Sequence, residues 1–180
     1  MQVYPLVIEC QRLHWLGSPA EDRCAHGGVT IRLGDEVIVD VAERDWNLTA
    51  ASLMLFRAID ADHTSASRVG DQLVPCCGHA WFAHGESDVV VIGCMYGLDW
   101  DVRHDADGVV LRFNGRRDEV RVPWSAWRDA VVAFCDAVHQ FHEAVSKAPV
   151  HPSDADGVAA FHAEWRRRYA RAGGPLVPPA

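Results

Sequence analysis

Residues 124–145 constrain this chain most tightly, because Trp124, Trp127, Val131, Phe134, Val138, Phe141 and Val145 step by three, four, three, four, three and four. An α-helix turns once in about 3.6 residues, so this spacing lines the apolar side chains along one face. Asp129, Asp136, Gln140 and Glu143 fall on the others. Such a face must be covered by another layer. Pro123 suits the first turn, where its missing N–H has no intrahelical partner, and Pro149 and Pro152 end the run. A second helix is expected from Ser153, turning Val158, Phe161, Trp165 and Tyr169 to the core.

Upstream, the period shortens toward two. In residues 3–13, Tyr4, Leu6, Ile8 and Cys10 share one side of an expected strand. Residues 29–41 form two β-rich runs around Gly34 and Asp35, the pairing that a type II′ hairpin turn needs. Between residues 48 and 59, Leu48, Ala51, Leu55 and Ile59 recur at helical spacing, with Asn47 or Thr49 placed to cap the start. Residues 60–71 read as a loop. The continuous apolar run 89–92 reads as a strand covered on both faces. Leu98, Trp100, Val102 and His104 alternate with charged residues, a turn follows at 105–108, and Val109, Leu111 and Phe113 return, predicting a hairpin. A short strand is expected over 119–122.

Strands first and two consecutive helices last predict an α+β fold: an antiparallel β-sheet with helices packed on one face. Residues 1–172 are expected to form a single domain and 173–180 a flexible tail. A chain of 180 residues, 49% hydrophobic and 23% charged, can sustain one such core. Alternating βαβ units are absent, as are the glycine fingerprints of dinucleotide and P-loop sites.

No apolar stretch approaches the roughly 20 residues that cross a bilayer, and the first residues lack the pattern of a signal peptide. A cytoplasmic protein is the expectation, and its six cysteines read as thiols or ligands rather than a disulfide framework. The net charge of -8 is uneven: residues 1–148 carry 13 basic against 22 acidic side chains, and residues 149–180 carry 4 against 3. An acidic body repels phosphate backbones and steers basic partners inward, which disfavours nucleic acid. Arg166, Arg167, Arg168 and Arg171 read as a solvated or docking face. All basic residues but Lys147 are Arg, a bias that fits a GC-rich bacterial genome.

Two constellations carry chemistry. Cys24 and His26, and again Cys77 and His79, are two residues apart, on one side of an extended chain; brought together, the pairs supply four nitrogen and sulfur ligands for zinc. Against this stands the ordinary behaviour of cysteine as a small buried apolar side chain. Cys76, Cys77 or Cys94 can alternatively serve as a nucleophilic thiol, with His79, His84 or His104 as base. Asp99 and Asp101 flank Trp100 as a solvated sheet face would. Of the seven tryptophans, Trp15, Trp46 and Trp81 fall on no core stripe and are candidates for a binding surface.

The segments Val74-Pro75-Cys76-Cys77-Gly78, Ile92-Gly93-Cys94 and Gly97-Leu98-Asp99-Trp100-Asp101-Val102-Arg103-His104, followed by the helix 127–141, resemble a group of small uncharacterised bacterial proteins of actinobacterial type. The resemblance covers residues 73–145 and carries over no catalytic residue. Some comparable small acidic proteins serve as immunity proteins for secreted toxins. The leading expectation is accordingly a non-enzymatic binding protein, an immunity-type inhibitor whose acidic surface meets a basic toxin, either alone or as a homodimer. The rival is a metal- or thiol-dependent enzyme built on Cys77, His79 and Cys94.

Overall fold

The computed structural model describes residues 5–78, 80–85, 88–115 and 118–173. The expected tail falls, beyond Gly173, outside them. The chain opens with three antiparallel strands, β1 (Leu6–His14), β2 (His26–Leu33) and β3 (Glu36–Asn47), in the order β1-β2-β3. Leu33 pairs with Glu36 around Gly34, whose φ of 60° a side chain would strain, while Asp35 stays outside the left-handed region. That is the type II′ pattern anticipated from the sequence.

Helix α1 (Leu48–Asp60) follows directly, capped by the Asn47 side chain, which accepts from the Ala50 N–H at 3.0 Å. It is buried on nearly every side, from Leu48 and Leu53 to Phe56 and Ile59. A helix apolar all round belongs inside a core. The remaining elements wrap it.

The short strand β4 (Val74–Pro75) pairs with β7 (Gly97–Leu98), and β5 (Ala80–His84) with β6 (Asp88–Ile92). A second three-stranded antiparallel sheet joins β8 (Trp100–Asp105), β9 (Gly108–Phe113) and β10 (Val120–Val122). Its register, Trp100 to Phe113 and Val102 to Leu111, is the one the alternation predicts. The fold class is therefore α+β with antiparallel pairing throughout, divided into four small sheets among the described residues rather than one.

Helix α2 (Trp124–Glu143) lays Trp127, Val131, Phe134 and Val138 against α1 and β1. Trp127 also donates its indole N–H to the Ala58 carbonyl at 3.2 Å. Trp124 departs from the expected stripe. At the first helical residue it is 48% exposed and lies edge-on to His104 instead of reaching α1. Phe141 is half-buried and stacks on Trp15.

Helix α3 (Ala155–Arg171) buries Phe161, Trp165 and Tyr169 as anticipated. Its first turn presses on β5 so closely that a Cβ at Gly157 would lie 1.9 Å from the Trp81 carbonyl oxygen. Only glycine permits that approach. The run 89–92 corrects an expectation: Val89 is buried, but Val90 and Ile92 are exposed. Strands β5 and β6 form a two-stranded ribbon with one face on α3, so alternate residues of β6 look outward.

A charged cluster locks α3 to α1. Glu164 is fully buried; Arg57 grips it with two bonds of 2.8 and 2.7 Å, Arg168 adds one of 2.8 Å, and the Val89 N–H another of 2.9 Å. Arg57 also reaches the Val69 and Val89 carbonyls, and Arg168 reaches Asp60. Burial by itself would raise the Glu164 carboxyl, yet these bonds and the Arg57 charge bring it down to about 2. Below its ordinary value of 4.5 the unfolded carboxyl holds a proton that the folded one refuses, so this contribution to stability is present above that pH and fades toward 2. Glu164→Gln should cost about 3–5 kcal/mol in urea unfolding, since it strands a buried guanidinium. The loss of wild-type stability on acidification from pH about 5 should be shallower in that variant.

Candidate functional site

The β4–β7 pairing assembles a site from residues far apart in sequence. Val74 pairs with Leu98 and Pro75 with Gly97, which sets Cys76 and Cys77 on one strand exit beside Cys94, Met95 and Tyr96 on the other. The Cys76 N–H donates to the Tyr96 carbonyl at 3.0 Å, and the Cys94 N–H donates to Cys77 Sγ at 2.9 Å. Gly93 lets the two backbones meet, because a Cβ there would lie 2.7 Å from the Cys77 carbonyl oxygen.

The three thiols differ in character. A backbone hydrogen bond at Tyr96 and bonds from the Cys77 and Cys76 thiols hold the half-buried Cys94 thiol below its ordinary value. Burial first, and then the sharing of hydrogen bonds with Cys94, pushes Cys76 and Cys77 up. Of the three, Cys94 is the one poised to ionise. The other cysteines are of another kind: burial pushes Cys10 and Cys24 up to about 12 and raises Cys135 well above the usual thiol range.

Beside the thiols lies a groove of about 500 Å³ bounded by Val41, Arg44, Trp46, Cys76 and Tyr96. Met95 and Tyr96 stand out from it, 91% and 77% exposed. Strand β3, at the edge of its sheet, carries Asp40, Glu43 and Asp45; Asp45 lines the groove, and the Glu43 side chain is 89% exposed. Apolar anchors and acidic charge thus adjoin one another.

The zinc set does not come together among the described residues. Cys24 is buried next to Asn47 and near enough to Cys77 to feel its charge, but His26 is buried at the start of β2, and His79 lies outside the described residues. No group of three or more His, Cys, Asp or Glu side chains among the described residues is disposed to hold a metal ion. His104, the expected base, bonds Asp62 at 2.9 Å on the far end of β8, and among the described residues its hydrogen bonds reach no thiol.

The three candidate tryptophans separate. Trp46 lines the groove. Trp15 is half-buried, stacked on Phe141 with the Lys147 ammonium 3.3 Å above its ring centre. Trp81 is core, stacked on Phe161 with ring centres 4.0 Å apart and its indole N–H given to Gly78.

Tyr96 and Met95 carried no signal in the sequence, because an isolated apolar pair in a polar turn reveals exposure only once the turn is placed. His63 was equally silent: fully enclosed, it bonds Asp99 at 2.9 Å and accepts from the Val69 N–H, so Asp99 ties the loop to β8 rather than facing water. No membrane-crossing helix occurs among the described residues. Comparison with family models, characterised proteins and solved structures finds no match to this chain.

Native-state alkylation followed by peptide mapping should label Cys94 first and Cys76 and Cys77 next. Cys24 and Cys135 should react only after denaturant is added. Labelling of Cys24 before Cys94 would contradict this account of the cluster.

Proposed function

We propose that the protein is a small acidic binding protein of the immunity type, which captures a basic toxin domain on the surface formed by Met95, Tyr96, the Trp46 groove and the outer side of β3. The observation that carries this reading is the exposure of Met95 and Tyr96 beside an acidic strand. Methionine and aromatic residues are enriched at the centre of protein interfaces, and Met95 and Tyr96 stand side by side next to the groove rather than scattered singly. Charge on the rim chiefly sets the rate of encounter, and Asp40, Glu43 and Asp45 outnumber Arg44 and Arg12, the latter paired with Glu43 and Asp45, which favours a basic partner. Residues of the groove give such a partner an apolar seat, while the overall charge of -8 extends the attraction beyond the contact itself.

The direct test is binding of the purified protein to a purified toxin domain encoded beside its gene, measured by calorimetry and stopped flow. Tyr96→Ala should weaken the complex about tenfold or more, as expected for an interface anchor. Glu43→Lys should slow association and reduce its dependence on salt, with little change in dissociation. Absence of binding to every neighbouring toxin, together with turnover of a small molecule, would reject the reading.

A further inference from the structure

Of the Cys76, Cys77 and Cys94 cluster only Cys76 borders the Trp46 groove, and the three are not disposed to hold a metal ion. What it has is three half-buried thiols, with the backbone of Cys94 bonded to the sulfur of Cys77. Cys77 Sγ lies 2.9 Å from the backbone nitrogen of Cys94, and the Cys94 thiol shares hydrogen bonds with both Cys77 and Cys76. The contact is held by β4–β7 pairing on one side and by the close approach at Gly93 on the other. Neighbouring thiols fixed in this way have two chemical outcomes open to them: to share a soft ion, or to join.

We propose that Cys94 is a site of reaction with hydroperoxides and that Cys77 resolves the product into a Cys77–Cys94 disulfide. This activity is independent of toxin binding and stands or falls separately from it. In the first step the Cys94 thiolate attacks the terminal oxygen of ROOH. The S–O bond forms as the O–O bond breaks; sulfur loses two electrons, the peroxide gains them, and the departing alkoxide takes a proton to leave as ROH. In the second step Cys77, as thiolate, attacks the Cys94 sulfenic sulfur. The S–S bond forms, the S–O bond breaks, and the departing hydroxide takes up the Cys77 proton to leave as water. The sum is two thiols and one hydroperoxide going to one disulfide, one alcohol and one water.

The electrostatics suit this division of labour. The thiolate is the reactive form, and reactivity tracks thiolate character and access. Cys94 is the half-buried thiol held below its ordinary value, and its hydrogen-bonding partners are pushed up. Cys77 loses its partner thiolate when Cys94 is oxidised. The hydrogen bond from its own thiol is then no longer anchored by a neighbouring charge, and that sulfur is already alongside residue 94.

The experiment uses the reduced full chain and hydrogen peroxide at one equivalent, quenched by alkylation and mapped by mass spectrometry. The expected result is a Cys77–Cys94 disulfide formed at least about tenfold faster than any oxidation of Cys10, Cys24 or Cys135. Cys77→Ser combined with Cys76→Ser should instead accumulate a dimedone-trappable sulfenic acid on Cys94. Oxidation of Cys94 no faster than that of Cys10 would overturn the proposal, and so would a disulfide joining Cys94 to Cys76 in place of Cys77. The wild-type mapping decides the matter even if a variant fails to fold.

Discussion

Glu164 is a carboxylate with no access to water, and the arrangement around it depends on Arg57 meeting it in two-point contact. An isolated charge in that position would be far too costly to bury, so the pair must form whole or not at all. Because its members come from α1 and α3, with Val89 of β6, Val69 of the intervening loop and Asp60 at the end of α1 bonded alongside, one cluster sets the angle at which three elements meet. Apolar packing determines that α1 is inside. The charged cluster determines which way round the last helix covers it.

The same cluster positions the candidate site indirectly. With Val89 held by Glu164 and Trp81 stacked on Phe161, the β5–β6 ribbon is clamped to α3 along its inner face. The chain then leaves β6 in a fixed direction, through Gly93 to Cys94, and meets the exit of β4. Thiols that are 17 and 18 positions apart in sequence are made neighbours by a helix they never touch. Exposure of Met95 and Tyr96 follows from the same path, since the turn between β6 and β7 has the β4 exit beneath it.

Periodicity carried much of the secondary structure. The stripe from Trp127 to Val138, the turn at Gly34, the Asn47 cap and the pairing of Trp100 with Phe113 all follow from spacing and turn chemistry within a few residues. The burial of α1 on every side was also present, in Leu53, Met54, Phe56 and Ala58 on the faces away from Leu48 and Leu55, but a search for one apolar face does not see it. Division of the strands into separate sheets was not legible, because which edges stay unpaired is decided by the helices between them. Neither was the fate of the cysteines. Spacing grouped Cys24 with His26 and Cys77 with His79, whereas contact is governed by the β4–β7 register, a pairing of two residues with too little pattern to announce itself. Trp81 illustrates the converse: it fits no helical stripe, and is core because a glycine far downstream lets α3 come against its backbone.

Enclosure of α1 has a consequence during synthesis. Its apolar sides leave the ribosome with β1 to β3 able to shelter only part of them, and α3, which closes another side, is made about a hundred residues later. Through that interval Phe56 has neither Trp165 nor Tyr169 beside it, and Arg57 has no carboxylate. Cooperative closure of the core around α1 therefore has to wait for the segment that supplies Glu164.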